Sequence, residues 1–173
     1  MSIYEHNSNI LAWREAGALI EIIPLTPDGD LDFAYFETIL LKYKDYKSLK
    51  VATISAGSNV TGNLVDVDRA AVLCHKYQTL ACFDYAAVIP YLGVNMNGPL
   101  SDSPFPAISH EDQGKAYKDA IFFSPHKLVG GPGSSGVLVA KKSILYSKKP
   151  HRFGGGTVFF VNELDHEYVA SVE

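Results

Sequence analysis

The feature that most constrains the fold is an alternation of apolar, strand-like runs with segments of helical spacing. The runs predicted to be strands are ALIEIIPL (18–25), LKVATIS (49–55), TLACFDYAA (79–87), DAIFFS (119–124) and GVLVAKK (136–142). Amphipathic helices are predicted at 31–43 and 67–78, the second capped by Asp66 or Asp68. A stretch rich in Gly, Pro, Ser and Asn, 91–114, is predicted to be a long surface loop.

This alternation predicts an α/β fold with a mostly parallel sheet flanked by helices, because parallel strands need a covering crossover between them. The strand runs are almost continuously apolar, which is typical of strands covered on both faces. In such sheets, ligands bind beyond the carboxyl ends of the strands. A functional site should therefore consist of residues that follow strands.

Composition and charge narrow the possible functions. The chain has 173 residues, 47% of them hydrophobic and 20% charged, which suits one globular domain or part of a larger one. A net charge of −4 without a long basic run argues against nucleic acid as the main partner. No run is long enough for a membrane span, and MSIYEHNSN lacks the pattern of a signal peptide.

The two cysteines, Cys74 and Cys82, have a spacing that suits neither a metal site nor a redox pair. We interpret them as reduced, buried residues of a cytoplasmic protein. The histidines form no metal-binding motif such as H-E-x-x-H. The sequence therefore predicts no metal centre.

Polar residues follow three of the predicted strands. Asn59 comes after VATIS, Asp84 closes TLACFD, and Ser124, His126 and Lys127 come after DAIFF. An amide, a carboxylate and an amine are therefore expected at one edge of the sheet. Taken singly, the amide and the carboxylate are also consistent with turn or cap residues.

These side-chain types match the needs of pyridoxal phosphate. A lysine forms a Schiff base with the aldehyde of this cofactor, and a carboxylate keeps the pyridine nitrogen protonated so that the ring accepts electrons. Hydroxyl and imidazole donors can bind the phosphate, and an imidazole can stack on the ring.

Four segments together resemble the class V aminotransferases, the family that contains the NifS-like cysteine desulfurases. They are YEHNSNILAW (4–13), SNVTG (58–62), FDYAAVIPY (83–91) and FFSPHKLVGGPGSSGVLV (122–139). The resemblance extends over almost the whole chain, and the S-x-H-K-x-x-G-G-P-G run is its most specific part. It implies a dependence on pyridoxal 5'-phosphate and a small amino acid as substrate.

The resemblance also assigns roles to individual residues. It implies that Lys127 forms the Schiff base, that Asp84 pairs with the pyridine nitrogen, and that His6 stacks on the ring. The freed lysine or His6 would then move protons. A histidine at the stacking position favours the desulfurase or lyase branch over simple transamination.

The remaining assignments concern the phosphate and the phenolic oxygen of the cofactor. The resemblance implies that Ser124 and His126 bind the phosphate, and that Asn59 contacts the phenolic oxygen or the substrate. The desulfurases usually have glutamine three residues after the aspartate, where this chain has Ala87. One contact to the phenolic oxygen is therefore expected to be missing.

The resemblance also sets the expected extent of the domain. Residues 1–173 correspond to the central part of a cofactor-binding large domain. The N-terminal phosphate loop and the C-terminal small domain, with its substrate-binding arginine and desulfurase cysteine, are expected to lie outside the sequence. The parent enzyme is expected to be a homodimer, cytoplasmic or organellar.

Two other functions stay open at this point. One is a non-catalytic fragment or truncated pseudoenzyme that binds the cofactor poorly or not at all, because family elements are missing. The other is a kynureninase-like or selenocysteine-lyase-like activity on the same scaffold in the full-length parent. Residues beyond 173 would separate that second alternative from a desulfurase.

Overall fold

The computed structural model describes residues 1–145, 149 and 153–169, which fall into two units divided between Lys141 and Lys142. In the first unit the helices are α1 (Asn7–Glu15), α2 (Phe33–Lys42) and α3 (Val67–Lys76). Its strands are β1 (Val51–Ser55), β2 (Leu80–Asp84), β3 (Ala120–Phe123) and β4 (Val137–Ala140). In the second unit, β5 (Val158–Val161) pairs antiparallel with β6 (His166–Tyr168).

The four strands of the first unit form one sheet in the order β1-β2-β3-β4. The pairs β1–β2 and β2–β3 are parallel, and β3–β4 is antiparallel. The register places Ser55 opposite Asp84, and Asp84 opposite Phe122. The carboxyl ends of the first three strands therefore meet at one edge. This arrangement confirms a mixed, mostly parallel sheet flanked by helices.

Burial differs from strand to strand. Four successive residues at the carboxyl ends of both β1 and β2 are buried. Since successive side chains point to opposite faces, these two strands are covered on both sides. By contrast, β4 is mostly exposed at the edge of the sheet.

The core lies where α2 and α3 pack against β1 and β2. Its fully buried members include Ile54, Phe83, Ala70, Ala71 and Cys74. Both cysteines are free and buried, as the sequence predicted.

The starts of α2 and α3 are set by aspartate side chains that cap their first turns. Asp32 caps α2 by accepting a hydrogen bond from Tyr35 N at 2.8 Å. Asp66 caps α3, accepting from Arg69 N at 3.0 Å, so Asp66 and not Asp68 is the capping residue. No helix among the described residues is long and apolar enough to span a membrane.

The predicted strand at 18–25 is wrong. This segment forms only isolated bridges, Ser2 with Ile23 and Leu25 with Leu31. Pro24 has no N–H to donate to a ladder, and Leu19 is 77% exposed. The apolar run is therefore an extended connection and not a sheet strand.

The long loop at 91–114 is confirmed, with a short 3₁₀ turn from Gln113 to Lys115 near its end. A buried ion pair holds this loop against α3: Lys118 Nζ donates to Asp68 Oδ1, and to Gly98 O at 2.9 Å. The other Asp68 oxygen accepts from Leu100 N at 2.9 Å. The carboxylate that sequence reasoning considered as a cap therefore anchors the loop instead.

Candidate functional site

A cleft of about 500 Å³ lies at the carboxyl ends of β1, β2 and β3. All six candidate residues from the sequence line it: His6, Asn59, Asp84, Ser124, His126 and Lys127. The cleft is large enough for a small-molecule ligand. Its position is the one expected for a mostly parallel α/β sheet.

Asp84 is the buried charge of the cleft, with 8% of its surface exposed. Burial raises the pKa of its carboxyl group above the ordinary value, and the negative charge of Glu5 raises it further. The Ala86 N–H, which donates to Oδ1 at 2.8 Å, acts in the opposite direction, as do the charges of Lys127 and His6. The aspartate is therefore a carboxylate that a nearby cation would stabilise.

Lys127 is the last residue of a 3₁₀ turn, Pro125–Lys127, that directly follows β3. Hydrogen bonds from Lys127 N to Ser124 O (3.0 Å) and from Leu128 N to Pro125 O (2.9 Å) close the turn. Gly130 then takes a φ of +79°, in the left-handed region that favours glycine. Lys127 is exposed, and within the described residues its Nζ has no ion-pair or hydrogen-bond partner, so the amine is available.

His6 is the N-cap of α1 and lies at the cleft with its ring exposed. Its Nδ1 accepts a hydrogen bond from Ser8 N at 3.3 Å and lies 2.7 Å from Ser8 Oγ. Capping therefore fixes the place of the imidazole at the cleft.

The other candidates surround the opening of the cleft. Asn59 and His126 are exposed, and Ser124 is half-buried. The neighbouring Ser58 does not line the cleft; its Oγ accepts from Val60 N (3.2 Å) and Thr61 N (3.1 Å), building the turn that presents Asn59. The half-buried Ala87 also lines the cleft, at the position where the resemblance to the desulfurases led us to expect glutamine.

Sequence reasoning missed Ser55 and Glu5. Ser55 lines the cleft and is the last residue of β1, so its polar side chain at a strand end was a usable signal. Glu5 lies behind it: Ser55 N and Oγ donate to the two Glu5 oxygens at 2.8 and 2.7 Å. No local pattern indicates that partnership, because the two residues are 50 positions apart.

The arrangement matches known structures at the level of the fold. The cysteine desulfurase of Thermococcus onnurineus NA1 superposes with a TM-score of 0.74 and 23% identity, covering 96% of this chain and 37% of that one. The Escherichia coli cysteine desulfurase CsdA gives a TM-score of 0.66 and 24% identity, and the match covers 98% of this chain and 38% of CsdA. The sheet and helices described above are therefore the fold of part of a cysteine-desulfurase-type domain.

The chain belongs to the aminotransferase class-V family, whose model matches residues 1–102. The matched range contains His6, Asn59 and Asp84, and ends before the turn that carries Lys127. The family expected from the four sequence segments is therefore confirmed.

Curated relatives align over nearly the whole chain. A probable cysteine desulfurase of Chlamydia muridarum is 29% identical over 168 residues, which is 95% of this chain and 36% of the relative. A cysteine desulfurase of Escherichia coli is 28% identical over 166 residues, 94% of this chain and 35% of the relative. The chain thus spans about a third of the length of these relatives.

Proposed function

We propose that this chain forms the cofactor-binding part of a pyridoxal-phosphate-dependent enzyme of the cysteine desulfurase type, acting on a small amino acid. The observation that carries the proposal is the convergence of Lys127, Asp84 and His6 on one cleft from separate parts of the chain. The relatives named above support the desulfurase branch of the family.

The residues of the cleft fit the chemical groups of pyridoxal phosphate. Among the described residues, Asp84 accepts a single hydrogen bond, from Ala86 N, and retains acceptor capacity toward the cleft. A protonated pyridine nitrogen would donate to this carboxylate and offset the cost of burying its charge. The Lys127 amine is available for the aldehyde, and the cleft has the volume of a small-molecule site.

When bound, the cofactor would act as an electron sink for the substrate carbon that carries the amino group. In the proposed site, the Asp84 carboxylate would accept a hydrogen bond from the ring nitrogen and so keep that nitrogen protonated. The Lys127 amine would hold the cofactor through its aldehyde and, when not bound to it, would be placed to accept and return a proton. His6, held at the cleft through the contact of its Nδ1 with Ser8, would cover the ring and could take part in proton transfer.

Three residues at the opening would orient the cofactor. Ser124 Oγ and the His126 ring are donors for the phosphate. The Asn59 amide is a donor for the phenolic oxygen or for the substrate. With Ala87 in place of glutamine, the contact to the phenolic oxygen relies on Asn59.

The test is an absorption titration with pyridoxal phosphate, followed by borohydride reduction and peptide mapping. We expect a cofactor band that saturates, with the reduced label on Lys127. In Lys127→Ala the band and the label should both disappear. Lys47→Ala, which removes an exposed lysine outside the cleft, is the matched control and should behave as the wild type.

One outcome would overturn the proposal and favour the non-catalytic alternative. If the label is scattered over several lysines, and Lys127→Ala takes up as much cofactor as the wild type, the cleft does not form a specific site. In a longer chain that carries a desulfurase cysteine, adding cysteine as substrate and assaying the released sulfide then tests the desulfurase branch.

A further inference from the structure

Glu5 is a buried carboxylate that the proposed chemistry does not use. It is 8% exposed and accepts five hydrogen bonds. Its Oε1 accepts from Ser2 N (3.2 Å), Ser2 Oγ and Ser55 N (2.8 Å), and its Oε2 from Asn9 Nδ2 (2.8 Å) and Ser55 Oγ (2.7 Å). Obligate N–H donors face both oxygens, so this donor set fits an ionised carboxylate.

These hydrogen bonds join three parts of the cleft wall. Glu5 directly precedes His6, Asn9 lies in the first turns of α1, and Ser55 ends β1 opposite Asp84. The carboxylate therefore ties the segment that carries the imidazole to the strand end that neighbours the aspartate.

A second layer of polar contacts extends the same connection. Asn9 is 5% exposed, and its Oδ1 accepts from Thr53 Oγ1 at 2.8 Å and from Trp13 Nε1 at 3.2 Å. Asn9 is also the only residue of α1 that is buried. This helix is thus held to β1 through hydrogen bonds, which fix its position along the strand more narrowly than apolar contact does.

Stability alone does not account for this choice of residues. Burying a carboxylate has a large desolvation cost, which the hydrogen bonds to neutral donors offset only in part. What the charged network provides is one defined geometry, and the group placed by that geometry is the adjacent His6.

We propose that Glu5 is a positioning residue, whose carboxylate fixes the His6 ring over the cleft by binding the end of β1. This inference deepens the proposed function, because the ring that Glu5 places is the one assigned to cover the cofactor. The placement itself exists without cofactor and can be measured in its absence.

The experiment compares the wild type with Glu5→Gln, which keeps the side-chain size and removes the charge. Without cofactor, we expect the His6 imidazole NMR signals, assigned with His6→Asn, to move toward the values of an unstructured peptide. With pyridoxal phosphate, we expect an apparent affinity about tenfold weaker, because the misplaced ring no longer stacks on the cofactor. Glu21→Gln is the matched control, because it removes a carboxylate that binds Lys42 and Tyr43 outside the cleft.

Ser55→Ala serves as a second variant in case Glu5→Gln does not fold. It removes only one of the five hydrogen bonds to Glu5, so we expect it to retain the fold. We expect a smaller His6 shift in the same direction. Unchanged His6 signals in a folded Glu5→Gln or Ser55→Ala protein would overturn the inference, whatever the cofactor affinity. If the signals move but no variant, wild type included, binds cofactor, the positioning role stands and the proposed function fails.

Discussion

Gly131 lies directly against the backbone of Pro125: a Cβ on Gly131 would be 1.9 Å from the Pro125 carbonyl oxygen. Only a residue without a side chain fits at this distance. Since Pro125 opens the turn that ends at Lys127, the close approach folds the glycine-rich segment back onto the turn that carries the amine. Gly131 therefore has a steric role in placing Lys127.

Gly131→Ala is expected to displace the Lys127 turn and to lower specific cofactor labelling at Lys127 at least tenfold. The free energy of unfolding should change by less than about 1 kcal/mol, because the segment is exposed and outside the core. Labelling and urea unfolding measure the two effects. Gly114→Ala is the control, since a Cβ there meets no atom within 4 Å. Wild-type labelling of Gly131→Ala would contradict the steric role.

Asp84→Asn is expected to stabilise the cofactor-free protein at pH 7 while weakening cofactor binding. The pKa of Asp84 is raised in the folded state, mainly by burial, from an ordinary 3.8. The folded protein therefore holds the proton more tightly than the unfolded chain, and ionisation lowers stability as the pH rises above 3.8. Asparagine keeps an acceptor for Ala86 N without ionising. Urea unfolding should give Asp84→Asn a higher free energy of unfolding than the wild type at pH 7, and the same value at about pH 3.

Lys118→Met is expected to lower the free energy of unfolding by about 3–5 kcal/mol, because it leaves the Asp68 charge buried without its partner. Adding Asp68→Asn should recover part of the loss, since asparagine still accepts from Leu100 N. The exposed pair between Lys76 and Asp112 provides the comparison, and Lys76→Met should cost less than about 1 kcal/mol. Urea unfolding measures all of these variants. Equal costs for the two lysines would contradict the burial argument.

The two cysteines are expected to resist alkylation in the folded protein. Burial raises the pKa of the Cys82 thiol to about 12, and raises that of Cys74 as well. The thiolate is the reactive form, so iodoacetamide at pH 8 should add no mass to the native chain and two adducts after unfolding in urea. Rapid native labelling at either thiol would show that the packing around α3 and β2 is looser than described.

The sheet and the members of the cleft could be predicted from the sequence because both have local signatures. The strands at 51–55, 80–84 and 120–123 are short apolar runs, and Asp84 and Lys127 are polar residues placed at or just after strand ends. Parallel pairing then brings these ends together without further information.

The features that were not predicted depend on contacts distant in sequence. Helix α1 buries only Asn9, so it lacks the apolar periodicity by which helices are recognised. The role of Glu5 depends on Ser55, and that of Asp68 on Lys118, each 50 residues away. The run at 18–25 is apolar like a strand, but it is paired only through isolated bridges.

The antiparallel pairing of β3 with β4 places Lys127 on a chain reversal and not on a helical crossover. A reversal between adjacent strands can change in length and composition while the pairing of the strands is kept. Changes in the segment between 124 and 136 can therefore alter the proposed cofactor site while the pairing of the strands is kept. Through this segment, the proposed site can be lost without loss of the fold, whereas a change at the buried Asp84 would affect both.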